Sequence, residues 1–106
     1  MRKLENRKGP MTVAGIKVDF PQDKEVVTSP YYTFRIEARD ASQVEISIDN
    51  SAWQDCRPAE GYWWHDWSGY MSGNHQAVAR IQPQDDGQME TSRITSFRVE
   101  LNPARR

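Results

Sequence analysis

The 106-residue chain predicts an all-β fold, a two-sheet antiparallel sandwich of about seven strands. Three observations carry this. Several short segments alternate apolar and polar residues with period two, the mark of a half-buried strand. Turn-forming residues recur about every 8–12 positions. No stretch carries an apolar stripe of helical period.

Residues 1–10 read as a flexible basic arm closed by Gly9-Pro10, and residues 103–106 as a tail. The sandwich is expected over residues 11–102. Val13, Ile16, Val18 and Phe20 are spaced as a first strand, with Gly15 marking a bulge and Pro21 ending it. Asp23 to Thr28 fits a short edge strand, broken at Ser29-Pro30. In the next segment Tyr32, Phe34, Ile36 and Ala38 point one way, and Thr33, Arg35, Glu37 and Arg39 the other. Val44, Ile46 and Ile48 repeat the pattern. Asp49-Asn50-Ser51 is a turn, because such side chains hydrogen-bond nearby backbone.

Trp53 to Cys56 predicts a short strand, and Arg57 to Gly61 a loop. Pro58 argues against a long helix there. His75 to Ile81 is a further strand, and Pro83 to Gly87 a hairpin loop. The last strand runs near Arg93 to Leu101, with Phe97, Val99 and Leu101 inward. Glu37 and Glu45 read as cross-strand partners of Arg35, Arg39 or Arg98.

The most distinctive stretch is Gly61-Tyr-Trp-Trp-His-Asp-Trp-Ser-Gly69, which holds three of the four tryptophans and precedes Tyr70. As a strand it places Tyr62, Trp64 and Asp66 on one face and Trp63, His65 and Trp67 on the other. One face must be core. Tyr62 and Trp64 are expected to supply it, which leaves Trp63, His65, Trp67 and Tyr70, with Asn74 nearby, as candidate binding residues. Local packing of all the rings competes with a protein interface, where Trp and Tyr are favoured. It also competes with a sugar-stacking platform flanked by Asp66, Asn74 and Gln76. Single-stranded nucleic acid would need a basic groove, whereas the neighbours are Asp55, Glu60 and Asp66.

Other chemistry finds little footing. His65, Asp66 and His75 match no zinc spacing, and the lone Cys56 adds no ligand set. Ser68, His75 and Asp85 lack the context of a nucleophile turn. No catalytic residue, metal or cofactor is therefore expected. No apolar run is long enough to span a membrane. The basic N-terminus has no apolar segment behind it, so a cytoplasmic protein is expected, unless a signal lies outside the chain. The two ends carry six positive charges against Glu5, while residues 11–104 hold 8 Lys/Arg against 14 Asp/Glu. Such ends suit solvated tails or docking onto an acidic partner.

Residues 44–53, Val-Glu-Ile-Ser-Ile-Asp-Asn-Ser-Ala-Trp, resemble the strand, turn and Trp of bacterial immunoglobulin-like domains. Tyr62–Trp67 and Gly73-Asn-His-Gln-Ala-Val-Ala-Arg80 follow in the same order. That order is similar to the immunoglobulin-like domains appended to sulfite-oxidase-type molybdenum enzymes and to other bacterial proteins. The likeness covers residues 12–101. The usual Arg-Ala-x-Asp continuation is Arg80-Ile81-Gln82-Pro83 here, and the disulfide of antibody domains is absent. The resemblance implies an immunoglobulin-like sandwich and a role in ligand binding, spacing or dimerisation. The function expected is a non-catalytic binding or assembly module that makes protein contacts or self-associates. The alternatives are a carbohydrate-binding module and an accessory part of a larger enzyme complex.

Overall fold

A computed structural model describes residues 15–82 and 89–101. The basic arm, Val13, the Pro83–Gly87 hairpin, Asp85 and the C-terminal tail lie outside these residues. Every regular element among those described is a strand: β1 (Ile16–Phe20), β2 (Val26–Val27), β3 (Tyr31–Ala38), β4 (Val44–Ile48), β5 (Gln54–Asp55), β6 (Arg57–Ala59), β7 (Tyr62–Ser68), β8 (Gly73–Ile81), β9 (Glu90–Thr91) and β10 (Thr95–Val99). Among the described residues no helix is long and apolar enough to cross a membrane. One sheet runs β1-β3-β7-β6. The other runs β2-β10-β8-β4-β5, with β9 added to β8. The sandwich expectation is met. Six strands have five residues or more; the other four are two- or three-residue pieces too short to show a period.

The core forms where the alternating faces meet. Phe34 and Ile36 of β3 are fully buried, as are Val44 of β4 and Ala79 of β8. Ile46, Ala77, Phe97 and Val99 are nearly so. Burying each larger side chain is worth about 1.5–3 kcal/mol. The rings of Phe34 and Phe97 meet edge to face across the sheets at 5.8 Å, a geometry favoured by the ring quadrupole.

Four local expectations need correction. The bulge in β1 lies past Gly15: the register runs Val18↔Ile36 and then Phe20↔Arg35. The extra residue, Asp19, re-aims Phe20 outward, where it is 37% exposed. The segment expected as a loop at Arg57–Ala59 is a strand paired to β7. A tight turn closes that hairpin, with positive φ at Glu60 and Gly61. Pro58 is tolerated because β6 is an edge strand. The sandwich is not wholly antiparallel, since β2 runs parallel to β10. Finally, Glu45 pairs with Arg80, its register partner on β8, at 2.8 Å, and not with Arg35, Arg39 or Arg98. The Arg80 guanidinium in turn lies 4.1 Å from the centre of the Trp53 ring.

Between β5 and β6 the chain passes from one sheet to the other at Cys56. Its amide donates to the Val44 carbonyl at 2.9 Å, and its side chain is buried. Burial, reinforced by Asp55 and Glu45, pushes the thiol pKa up to about 12. This sulfur is a packing group and a poor nucleophile.

Candidate binding faces

The register between β3 and β7 decides which rings are free. Tyr32 stands opposite Trp67, Phe34 opposite His65 and Ile36 opposite Trp63. Residues directly opposed in a sheet project to the same side. Phe34 and Ile36 are core, so Trp63, His65 and Trp67 face inward, and Trp63 and Trp67 pack on the core. This inverts the expected division. Tyr62 and Trp64 lie on the outer face, and most of the expected binding residues lie on the inner one.

Trp67 closes one end of the sandwich. It stands edge-on to Phe34 and Phe97, both at 5.6 Å, and to His75 at 5.1 Å. Tyr70 stacks flat upon it at 3.8 Å, and the Tyr70 hydroxyl donates to the Ser29 carbonyl. Burial lowers the pKa of His65, whose ring packs beside Phe34. Of the expected candidates only Asn74 is exposed. It lies on β8, in the other sheet.

His75 sits in the same aromatic cluster. Nδ1 lies 2.7 Å from the Asp49 carboxylate, and Nε2 lies 2.8 Å from the Met71 carbonyl. Both neighbours are acceptors, so the doubly protonated imidazolium satisfies both contacts at once. His65 points in and Asp66 out, so the two do not converge with His75 on one site. Among the described residues no group of three His, Cys, Asp or Glu could hold a metal ion.

The outer face of the four-stranded sheet is where surplus aromatic surface collects. The Arg35 guanidinium lies 4.2 Å from the Tyr62 ring centre and 4.8 Å from that of Phe20. Its Nε donates to Asp19 at 3.3 Å. Cation–π contact on two rings and an ion pair fix this side chain. Trp64 stands opposite both Arg35 and Arg57, and its Nε1 donates to the Ala59 carbonyl at 2.8 Å. Asp66 receives both Arg57 nitrogens, at 3.0 and 3.3 Å, and the Thr33 hydroxyl at 2.9 Å. The Arg57 and Thr33 hydrogen bonds lower its pKa. Tyr31, 74% exposed, extends this face along β3.

Arg35, Arg57 and Phe20 are the residues that sequence reasoning missed. A usable signal was present for Arg35, since it alternates with Phe34 and Ile36. Phe20 was hidden by the bulge, and Arg57 by Pro58 beside it.

No protein-family model matches the chain, and no curated protein matches it. Among solved structures, the fibronectin(III)-like modules of Clostridium thermocellum CbhA superpose with a TM-score of 0.55 at 17% identity, over 81% of this chain and 94% of that one. The finer resemblance, to domains of sulfite-oxidase-type enzymes, is not shown. At this identity the likeness speaks for architecture alone: the chain is an all-β, immunoglobulin-like sandwich.

Proposed function

We propose that this domain is a non-catalytic binding or assembly module whose contact face is the outer surface of the four-stranded sheet. One observation carries the reading: Tyr62, Trp64 and Phe20 stand on a solvent-facing sheet surface, interleaved with Arg35 and Arg57. Trp, Tyr and Arg are the residue types that dominate interface energetics. Arg35 and Trp64 are already held by intramolecular contacts, which lowers the entropy lost on binding. A flat sugar platform is less favoured here, because the Tyr62 and Trp64 rings meet at 73° and offer no common plane.

The test is the double variant Tyr62→Ala/Trp64→Ala. Its folding should fall by no more than about 2 kcal/mol, since both rings are partly exposed. Association should fall by at least about tenfold, measured as self-association by sedimentation and as capture of a partner from the native source. Unchanged association on both counts would overturn the proposal.

A further inference from the structure

A second concave surface lies on the outside of the other sheet, away from the aromatic face. It is a groove of about 550 Å³ between the Asp49-Asn50 turn and Lys24, floored by β8 and β10. That size is within the range of small-molecule sites, about 300–1,000 Å³. Cross-strand register sets Gln76 opposite Ser96 and Asn74 opposite Arg98 along its floor.

Both walls are fastened to the floor by backbone. On one side the Asp49 amide donates to the Gln76 carbonyl at 2.8 Å, and the Asp49 carboxylate accepts from the Gln76 amide at 3.0 Å. On the other, the Lys24 amide donates to the Ser96 carbonyl at 2.6 Å, and Asp23 accepts from the Ser96 amide at 2.9 Å. Lys24, Asp49 and Asn50 all hold positive φ, at 71°, 56° and 62°. For Lys24 that conformation is sparsely populated and has to be held by its surroundings.

The lining side chains are left unpaired by this frame. Asn50, Asn74, Gln76 and Lys24 line the groove, and none has a side-chain hydrogen bond or ion pair among the described residues. The acids of the neighbourhood are already engaged. Asp49 is held by His75, Glu100 by Arg98 and Asp23 by Ser96. Lys24 is thus a positive charge without a carboxylate partner there. Amides offer a donor pair and an acceptor together, which suits neighbouring hydroxyl groups. Among the described residues of the lining the one apolar side chain, Phe97, is buried.

We propose that this groove binds a carboxylated sugar, with Lys24 receiving the carboxylate and Asn50, Asn74 and Gln76 reading the hydroxyls. The site is on the opposite sheet from the aromatic face and goes beyond the function proposed for it. The test is a titration of the isotope-labelled protein with tetragalacturonate, with maltotetraose and acetate in parallel, followed by amide shifts. Tetragalacturonate should move the amides around residues 24, 49–50, 74–76 and 96–98. Lys24→Gln should weaken binding by about tenfold or more, the loss of one charge-assisted hydrogen bond. Asn74→Ala/Gln76→Ala should do likewise, with the variants' spectra otherwise native. Equal shifts with maltotetraose would overturn the role of the carboxylate. Equal shifts with acetate would reduce the groove to a general anion site and overturn the sugar. Absence of shifts across the soluble range of tetragalacturonate would overturn the whole proposal.

Discussion

Replacing Trp67 by alanine is expected to cost about 3 kcal/mol of folding stability, the lower end of the range for truncating a packed tryptophan. The indole touches Phe34, Phe97, His75 and Tyr70. Removing it opens a void that these rings cannot all collapse into, and it frees Tyr70 from its stack. For a domain of this size the melting temperature should fall by at least about 12 °C. Trp67→Phe should recover part of the loss by restoring an aromatic edge. Thermal and denaturant unfolding measure both. A loss under about 1 kcal/mol would mean that the ring is dispensable to the core and would return it to the list of surface candidates. The aromatic stretch should thus give two separable phenotypes: a loss of stability at Trp67 and, on the function proposed above, a loss of association at Tyr62 with Trp64.

Stability should also depend on pH through His75. Burial alone pushes its pKa down, but the Asp49 carboxylate and the Met71 carbonyl outweigh it and hold the pKa above the usual histidine value. A histidine whose pKa rises on folding adds stability that is fully present below its unfolded value, about 6.5. That stability is lost as pH climbs through the folded value. His65, lowered by burial, acts with the opposite sign: its contribution is lost as pH falls below the unfolded value. The two must therefore be separated by mutation. Tyr70 is the other titratable group against the His75 ring, and Lys24 and Arg98 line the neighbouring groove. Asp49→Asn keeps an acceptor for the Gln76 amide and removes the charge. It should cost about 1–2 kcal/mol at pH 6, a charge-assisted hydrogen bond discounted for the partial exposure of Asp49. The difference from wild type should shrink as pH rises past the folded pKa. Denaturant curves of both proteins at several pH values measure it, and a difference that does not change with pH would show that His75 is neutral throughout.

Much of the architecture could be read from alternation alone. β3, β4 and β10 each pair a strongly apolar face with a polar one, and in all three the expected side is buried. β7 fails for a physical reason. Its faces carry Tyr62 and Trp64 against Trp63 and Trp67, rings of similar size, so its own pattern has no preferred side. The side is set by pairing with β3, and a shift of one residue would exchange the faces. The neighbour holds the information: β3 has Phe34 and Ile36 on one face against Thr33 and Arg35 on the other. β6 does not show as a strand in the sequence, since it is three residues long and holds Pro58, which a sheet tolerates only on an edge. The groove by Lys24 joins residues 24, 50, 74 and 76. Alternation along β8 sets Asn74 beside Gln76, but only the parallel β2–β10 pair and the Asp49-Asn50 turn bring Lys24 and Asn50 to them.

That parallel pair bears on how the domain would respond to tension. The amides of Arg98 and Glu100 donate to the carbonyls of Glu25 and Val27 at 2.9 and 2.8 Å, tying the strand nearest the chain's end to one near its start. Because β2 and β10 run the same way, tension on the two ends would slide them past each other once β1 has been peeled from β3. The bonds between them would then be strained together rather than opened one at a time. If the module is a spacer between neighbours, this short seam would set its resistance to stretching. In single-molecule pulling, Glu100→Pro, which deletes one of these donors, should lower the rupture force; an unchanged force would place the resistance elsewhere.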